Sequence, residues 1–427
     1  MSSAMTSEIS EVVLHDADTA SEEVLPPVRG GWRARIASRL ARLLFVAAVN
    51  RCDVTVHLDG QTLGRGGPSM TIDDSQEFFA RLGVDKSIGF GEAYMTRAWN
   101  SPDLAAFLTV LAAEVSTLIP QALQRLRPVV MPRPASRDRG AKADTQRNIA
   151  RHYDLSNDLF ALFLDPTMTY SAARFPEDEL GQPTRGADLE VAQLRKIDEL
   201  LDMAGVGPDT RLLEIGSGWG ALAIRAARRG AMVRTITLSV EQQELALARI
   251  RREGLADRIV VDLCDYRDVQ GSYDAVISVE MIEAVGWRYW PTYFQAIERV
   301  LVPDGRAVIQ AITMPHDRML ATRNTYTWIN KYIFPGGFLP SVEALTTTAA
   351  GSGLQLVGMD EIGPHYAETL RQWDERFWDR EEEWKALGFD DTFGRLWHFY
   401  LEYSRAGFAS GYLDDVRMIF TRPGQPR

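Results

Sequence analysis

The fold is decided by a short apolar run that ends in three closely spaced glycines: Leu212-Leu213-Glu214-Ile215-Gly216-Ser217-Gly218-Trp219-Gly220. Residues 221–227 continue with a helical pattern of apolar side chains. A strand, a tight turn and a helix N-terminus in this order form a ligand site, because glycine permits a sharp turn and a close approach of the backbone to a bound group. The stretch therefore predicts a Rossmann-like α/β sheet with a ligand at this turn.

The glycine turn alone suits two cofactors, NAD and S-adenosylmethionine. A nicotinamide site needs Asp or Glu at the end of the next strand, roughly 20 residues further on, to bind the ribose. Here the next predicted strand, 233–238, ends in Thr237-Leu238-Ser239. The missing acidic residue favours S-adenosylmethionine, with Glu214 as an acidic group that faces the cofactor.

Predicted strands and helices alternate around the glycine turn. Strands are predicted at 233–238, 259–263, 274–279 and 306–312, and helices at 187–204, 240–253 and 290–301. Such alternation indicates a parallel sheet with helices on both faces and with ligands at the carboxyl ends of the strands. The segments expected along that edge are Gly216–Gly220, Thr237–Gln242, Cys264–Arg267 and Val279–Glu283.

Composition excludes several classes of protein. The net charge of −11 argues against a nucleic-acid partner, because that affinity comes mainly from neutralising phosphates. Two distant cysteines, Cys52 and Cys264, build neither a disulfide framework nor a metal cluster, so we expect a reducing, cytoplasmic compartment and no metal. The longest apolar run, 43–49, is too short to cross a bilayer, so any membrane contact is peripheral.

The chain divides into four predicted parts. Residues 1–28 are acidic, lack the features of a signal peptide and are expected to form a disordered tail. Residues 29–130 predict a small α+β domain, and the proline-rich, charged segment 131–147 predicts a linker. Residues 148–427 are expected to form the second, larger domain, whose aromatic C-terminal third predicts a helical lid and a closing strand at 416–421.

A predicted helix over 31–50 is amphipathic and basic. Ile36, Leu40, Leu43 and Ala47 share one face, while Arg35, Arg39 and Arg42 share another, with Arg33 nearby. Helices of this kind lie on anionic membrane surfaces. The alternative is a surface helix that docks on its own domain.

Five motifs together resemble the cyclopropane-fatty-acid synthase family: His152–Asn157, Met168–Ser171, Leu213–Gly220, Asp265–Asp268 and Trp328–Pro335. The resemblance extends from about residue 88 to the C-terminus. It implies a class I methyltransferase that uses S-adenosylmethionine to modify double bonds of lipid acyl chains. The segment around 89–92 is similar to the lipid-binding domain of the members that act on phospholipids.

The resemblance also implies which residues contact S-adenosylmethionine. The expected contacts are Tyr170 and Ser171 at the methionine part, the backbone of Gly216, Ser217 and Gly218 beside it, Thr237, Leu238 and Gln242 at the ribose, and Asp265 and Tyr266 at the adenine. Each has a structural alternative. The glycines alone form a tight turn, Asp265 caps a loop, and Gln242 is a helix-surface residue.

In this family a bicarbonate ion serves as the general base. Glu283 and Tyr366 match the carboxylate and the tyrosine that hold it, and Gln310 and Ile312 are expected to contribute an amide and a backbone N–H. Two positions depart from the family pattern. Ala172 replaces a cysteine, and Gln310 replaces a histidine, so that an uncharged donor stands where positive charge is usual. Bicarbonate binding is therefore an open expectation.

Within the family, residues 310–314 and 283–286 most resemble the actinobacterial branch that methylenates oleoyl phospholipids on the way to tuberculostearic acid. The implied product is a 10-methylene acyl chain, which a separate flavin- and nicotinamide-dependent reductase partner reduces. We hypothesise that Gln310 helps to set the choice between a methylene group and a ring.

Three other functions stay open at this point: a cyclopropane-fatty-acyl-phospholipid synthase, a methyltransferase for small molecules or proteins, and a non-catalytic lipid-binding protein. We expect an enzyme at the inner face of the cytoplasmic membrane. A homodimer would suit an enzyme with a separate lipid-tethering domain.

Overall fold

A computed structural model describes residues 31–118 and 156–424, together with Leu25. Most of the predicted tail, the linker at 131–147 and the first part of the His152–Asn157 motif lie outside the described residues. The division of the chain at that linker therefore stays a prediction.

The N-terminal part combines four helices with a small sheet. Its elements are α1 (Trp32–Val49), β1 (Thr55–Leu58), β2 (Gln61–Gly64), β3 (Ser69–Ile72), α2 (Ser75–Asp85), α3 (Ser87–Met95), β4 (Trp99–Asn100) and α4 (Leu104–Leu118). The strand order is β2-β1-β3-β4, with β1 parallel to β3 and antiparallel pairing elsewhere. This part has the α+β composition that the sequence predicts.

The second sheet has seven strands. They are β5 (Arg211–Ile215), β6 (Met232–Thr237), β7 (Ile259–Leu263), β8 (Tyr273–Val279), β9 (Leu301–Thr313), β10 (Gln355–Glu361) and β11 (Asp414–Thr421), in the order β10-β11-β9-β8-β5-β6-β7. The five strands from β7 to β9 are parallel. The glycine turn follows β5 near the centre of the sheet, as the Rossmann-like prediction requires.

At one edge the sheet departs from the parallel arrangement that the alternating strands and helices predict. Strand β11 runs antiparallel to β9, and β10 runs antiparallel to β11. Strand β10 was not predicted. It is an edge strand whose residues alternate between exposed and half-buried without a fully buried position. An edge strand of this kind lacks the apolar run by which a buried strand is recognised.

Helices surround this sheet and form the lid. They are α5 (Asn157–Phe163), α6 (Leu189–Met203), α7 (Ala221–Arg228), α8 (Val240–Arg252), α9 (Ile282–Val285), α10 (Trp290–Val300), α11 (His316–Thr322), α12 (Trp328–Tyr332), α13 (Val342–Gly351), α14 (Gly363–Asp379), α15 (Glu381–Ala386) and α16 (Asp391–Ala409). Six of these helices, and α2 of the N-terminal part, begin at a side chain that accepts a backbone N–H of the first turn: Ser156, Asp188, Ser239, Thr327, Ser341 and Asp390, and Asp74 for α2. Each such cap contributes about 1 kcal/mol.

The N-terminal part and the lid share one aromatic core. The ring of Phe399 in α16 lies 4.8 Å from Trp328 in α12 and 5.5 Å from Tyr94 in α3. Arg395 of α16 donates to the Tyr94 carbonyl at 2.6 Å, and its guanidinium lies 3.9 Å from the Tyr94 ring. The N-terminal part is thus packed against the lid through buried contacts.

Candidate functional site

The glycine turn brings β5 and the segment after β8 close together. Gly216 has a φ of +97°, and a Cβ there would lie 3.6 Å from the side chain of Met281. Gly220 precedes α7 with a φ of +87°, and a Cβ there would lie 3.2 Å from the Cβ of Ala246. The positive φ would strain a residue with a side chain at either position, and at Gly220 the added Cβ would also crowd Ala246. Trp219 closes the turn and donates to Asn157 at 2.7 Å.

The segment assigned to the ribose is held by its own hydrogen bonds. Thr237 Oγ1 donates to Gln242 Oε1 at 2.9 Å and accepts from Ser239 N at 3.1 Å. Gln242 is buried, which does not fit the alternative of a helix-surface residue. Leu238 is half-buried beside them. Their contact with a ribose stays a prediction.

Asp265 caps a turn of 3₁₀ helix formed by Tyr266–Asp268. Its carboxylate accepts from the Arg267 backbone N–H at 2.9 Å and forms a two-point ion pair with the Arg267 guanidinium at 2.6 and 2.7 Å. Tyr266 is buried, and its ring lies 5.4 Å from that of Tyr293. The geometry therefore supports the loop-cap alternative for Asp265, and a contact with adenine stays a prediction.

At the segment assigned to the methionine part, Tyr170 shares a hydrogen bond of 2.8 Å with the Tyr400 hydroxyl. Ser171 Oγ accepts from Lys196 Nζ at 2.6 Å. Burial lowers the pKa of Lys196 to about 8. The sequence analysis missed Lys196, although it lies one turn from Ala192 and Leu200 on the apolar face of α6.

Glu214 is a buried acid directly before the glycine turn. Its Oε2 is buried without a hydrogen-bond partner, and desolvation raises its pKa to about 8. Lys196 and Thr235 offset part of that rise. A protonated carboxyl here has a free donor and acceptor for a bound group, which fits the expectation that Glu214 faces the cofactor.

The raised pKa of Glu214 predicts a dependence of stability on pH. Between about 4.5 and 8, the folded protein keeps this proton and the unfolded chain loses it, so the free energy of unfolding falls as pH rises. One such group contributes a slope of up to about 1.4 kcal/mol per pH unit. We expect ligand-free Glu214→Gln protein to gain stability relative to wild type from pH 5 to pH 8 in urea unfolding. A pH-independent difference would contradict this.

A second group of side chains meets at the carboxyl ends of β8 and β9. Glu280 accepts three hydrogen bonds: Ala172 N and Gln310 Nε2 donate to Oε1 at 2.8 and 2.9 Å, and Tyr366 donates its hydroxyl to Oε2 at 2.6 Å. Its backbone has a φ of +48°, which is uncommon for a residue with a side chain. The Glu280 N–H fixes this conformation by donating to the Gln310 carbonyl at 2.8 Å.

Gln310 joins Glu280 to a second buried carboxyl. Its amide nitrogen also donates to Asp415 Oδ2 at 2.7 Å, and both Gln310 and Asp415 are fully buried. Burial, together with the nearby carboxylates of Glu280 and Glu283, raises the pKa of Asp415 well above its ordinary value. These surroundings favour the protonated form of Asp415.

Glu283 contacts Ile312 as a neighbour in the same cluster. The Ile312 N–H donates to Glu283 Oε1 at 2.6 Å, while Oε2 is buried without a hydrogen-bond partner. Burial and the charge of Glu280 raise the pKa of Glu283 to about 8. Within the described residues, no His, Cys, Asp or Glu cluster has the arrangement of a metal site.

The donors assigned to bicarbonate are engaged by side chains of the protein. Glu280 accepts from Ala172, Gln310 and Tyr366, and Glu283 accepts from Ile312. The residues present therefore do not fit a bicarbonate ion at these donors.

The four predicted catalytic residues do come together, but the cluster contains two acids that the sequence analysis missed. Glu280 precedes Glu283 by three residues at the same strand end, which is a signal that could have been used. Asp415 is the second residue of β11 and lies opposite Ile312 of β9, and this pairing cannot be read from the local sequence.

Aromatic rings line the region beside these carboxyls. Tyr366 stacks on Phe408 with 4.5 Å between ring centroids, and Trp373 lies 5.2 Å from Tyr170 and 6.1 Å from Tyr366. Tyr366, Trp373 and Phe408 are buried. Such rings stabilise positive charge through their π faces.

A family model described as mycolic acid cyclopropane synthetase matches residues 141–418. The chain belongs to this family. It is 52% identical over 404 residues to tuberculostearic acid methyltransferase UfaA1 of Mycobacterium tuberculosis, covering 93% of this chain and 94% of that protein. It is 33% identical over 374 residues to the cyclopropane-fatty-acyl-phospholipid synthase of Escherichia coli K12, covering 85% and 90%.

The crystal structure of mycolic acid cyclopropane synthase CmaA1 complexed with SAH and CTAB has a TM-score of 0.59 and 30% identity. The superposition covers 65% of this chain and 98% of that one. These similarities confirm the class I methyltransferase fold, and the chain is an S-adenosylmethionine-dependent methyltransferase of the cyclopropane synthase family. No helix within 31–118 and 156–424 is both long and apolar enough to cross a bilayer.

Proposed function

We propose that this protein transfers a one-carbon unit from S-adenosylmethionine to the double bond of an oleoyl chain in a phospholipid and forms a 10-methylene acyl chain. The observation that carries the proposal is the 52% identity, along nearly the whole chain, to a relative named tuberculostearic acid methyltransferase. A separate flavin- and nicotinamide-dependent reductase would then convert the methylene group to a 10-methyl branch.

The extent of the similarities supports a phospholipid substrate. The match to the Escherichia coli acyl-phospholipid synthase covers 85% of this chain, whereas cyclopropane mycolic acid synthase 1 of Mycobacterium tuberculosis covers 62% of this chain and 94% of its own length. Almost the whole mycolic acid enzyme is therefore matched by about 62% of this chain, and the rest of this chain has no counterpart in that enzyme. The part of this chain that the phospholipid synthase shares and the mycolic acid enzyme lacks supports a role in bringing a membrane phospholipid to the site.

The buried site suits this chemistry. S-adenosylmethionine supplies an electrophilic methyl group, and an alkene is a weak nucleophile that becomes a carbocation when it attacks. Aromatic rings such as Tyr366, Trp373 and Phe408 stabilise positive charge and exclude water. A base must then remove a proton. The carboxyl cluster around Glu280 and Glu283 lies beside these rings.

The first test uses purified protein and deuterated methyl donor. We expect the protein to label dioleoyl phospholipid vesicles from S-adenosylmethionine with a CD₃ group and to retain two of the three deuterons, because one is lost as the proton. Simple methyl transfer would retain all three. Label on free oleate but not on the phospholipid would contradict the substrate, and SAH binding without any labelled lipid would favour a non-catalytic lipid-binding protein.

We also propose that α1 places the enzyme on the inner face of the cytoplasmic membrane. Its large apolar side chains are exposed: Trp32 by 67%, Ile36 by 57%, Leu40 by 54%, Leu43 by 70% and Leu44 by 52%. The opposite side of the helix packs on the core through Ala41, Phe45 and Val46. An exposed apolar stripe next to arginines is typical of an interfacial helix.

Two exposed arginines in α1 provide the test of membrane binding. Each basic residue near an anionic surface contributes about 1 kcal/mol, so Arg35→Gln/Arg39→Gln should weaken binding to anionic vesicles roughly 30-fold in sedimentation assays. Arg42 is left unchanged because it pairs with Asp59 at 2.7 Å. Arg251→Gln/Arg252→Gln, an exposed pair in α8, is the matched control. Equal binding by both variants would contradict the role of α1.

A further inference from the structure

The Glu280 carboxylate receives the donors that a separate anion would need. Ala172, Gln310 and Tyr366 all donate to it, and their donor atoms lie between 2.6 and 2.9 Å from its oxygens. We propose that Glu280 is the general base of this enzyme and takes the place of a bound bicarbonate ion. The inference rests on the function proposed above and assigns its proton-removal step to a side chain.

The position of Glu280 connects the two halves of the site. A Cβ at Gly216 would lie 3.6 Å from the side chain of Met281, so the residue that directly follows Glu280 packs against the glycine turn. Its donor Ala172 directly follows Ser171 and is two residues from Tyr170, the pair assigned to the methionine part. Its donor Tyr366 belongs to the aromatic wall. The carboxylate thus lies between the segments assigned to the methyl donor and the region suited to the acyl chain.

Burial raises the pKa of Glu280, so its carboxylate is more basic than that of an ordinary glutamate. The Ala172, Gln310 and Tyr366 donors at its oxygens stabilise the charged form. The charge of Lys196 acts in the same direction, whereas burial raises the pKa of Glu280. Burial and the charge of Glu280 raise the pKa of Asp415, on the other side of the Gln310 amide, which favours a protonated Asp415 beside the Glu280 carboxylate.

The proposed reaction balances without an oxidant or reductant. One alkene carbon forms a bond to the methyl carbon as the sulfur–carbon bond breaks and the sulfur keeps that electron pair. A hydride then moves from the methyl-bearing carbon to the neighbouring cation, and the positive charge moves to the methyl-bearing carbon. Finally a methyl C–H bond breaks, its electrons form the exocyclic double bond, and the proton goes to a Glu280 oxygen.

The positive φ of Glu280 also fits the proposed role as general base. A residue with a Cβ in this region costs on the order of 1–3 kcal/mol, which persists where the surrounding structure fixes it. Here β8 delivers the backbone, the Gln310 carbonyl fixes the N–H, and three donors fix the carboxylate. Such convergent support is expected of a preorganised group.

The test compares turnover with and without bicarbonate. We expect wild-type turnover on oleoyl phospholipid to change by less than about twofold when carbon dioxide and bicarbonate are removed from the buffer. Glu280→Gln should lower turnover by at least about 100-fold, with SAH affinity measured by calorimetry changed by less than about threefold. Glu280→Gly, which removes the side chain and relaxes the backbone, should regain turnover as bicarbonate is added.

Two results would overturn the inference. One is a saturable requirement of the wild type for bicarbonate, and the other is a Glu280→Gln protein that keeps more than about a third of the turnover. The bicarbonate dependence of the wild type can be measured without any variant, so it still tests the inference if Glu280→Gln does not fold. A wild type that forms no one-carbon product at any bicarbonate concentration would overturn the proposed function as well.

Discussion

Replacement of Tyr366 by phenylalanine is expected to lower turnover by about 100-fold and to change SAH affinity by less than about threefold. The Tyr366 hydroxyl donates to Glu280 Oε2 at 2.6 Å inside a buried site. Its loss leaves that oxygen without the donor that orients the carboxylate. Phenylalanine keeps the ring that stacks on Phe408 at 4.5 Å, so the substitution removes the hydroxyl and little packing.

Steady-state kinetics with oleoyl phospholipid vesicles and SAH calorimetry measure the two effects separately. Tyr403→Phe is the matched control, since it removes a hydroxyl from an exposed ring in α16 that stacks on Phe399. The control should keep wild-type turnover. Nearly unchanged turnover of Tyr366→Phe would mean that Glu280 does not depend on this hydrogen bond.

Replacement of Glu92 by alanine is expected to lower the free energy of unfolding by about 3–5 kcal/mol. Glu92 in α3 is fully buried and accepts from Arg81 at 3.3 Å, from the Tyr332 hydroxyl at 2.7 Å and from the ammonium group of Lys331. The carboxylate thereby joins the N-terminal part to α12 in the lid. Its removal leaves the buried Arg81 guanidinium with less compensation for its lost hydration.

Urea unfolding measures this loss. Glu92→Gln keeps the size of the side chain but not its charge, so its stability should fall between those of wild type and Glu92→Ala. Glu343→Ala is the control, because the Glu343 side chain is 68% exposed and its contact with His316 is 3.6 Å long. Exposed pairs contribute about 0–1 kcal/mol. A Glu92→Ala protein as stable as this control would contradict a structural role for the buried charge.

The sequence predicted the central elements because their signals are local. The strand predicted at 259–263 is observed over Ile259–Leu263, and the helix predicted at 240–253 is observed over Val240–Arg252. Hydrophobic periodicity and the Ser239 cap determine these boundaries. The antiparallel edge was missed because the position of β11 beside β9 is a long-range property.

The residues of the candidate site could also be predicted where their signal is local, but their long-range contacts could not. Glu283 follows a buried strand, and family motifs mark Tyr366 and Gln310, so the sequence identified them individually. The donors that hydrogen-bond to each carboxylate are set by the pairing of β9 with β11 and by the positive φ of Glu280. Sequence reasoning therefore found most members of the cluster but assigned their donors to an ion.

Helix α1 shows a related limit. Periodicity identified an apolar face and a basic face but not which side of the helix packs on the protein. In the structure Ala41, Phe45 and Val46 face the core, and the predicted apolar face containing Ile36, Leu40 and Leu43 is exposed. The helix docks on its own domain and also presents a free apolar stripe, so the two predicted alternatives are compatible.

The most direct test of the central claim is the structure of the acyl product. A bacterial host that makes neither product would be supplied with oleate and labelled methionine and would express this protein alone. Mass spectrometry of its phospholipid acyl chains, before and after catalytic hydrogenation, distinguishes an exocyclic methylene group from a ring. We predict a labelled 10-methylene chain that hydrogenation converts to a 10-methyl chain. A labelled cyclopropane ring in its place would contradict the account.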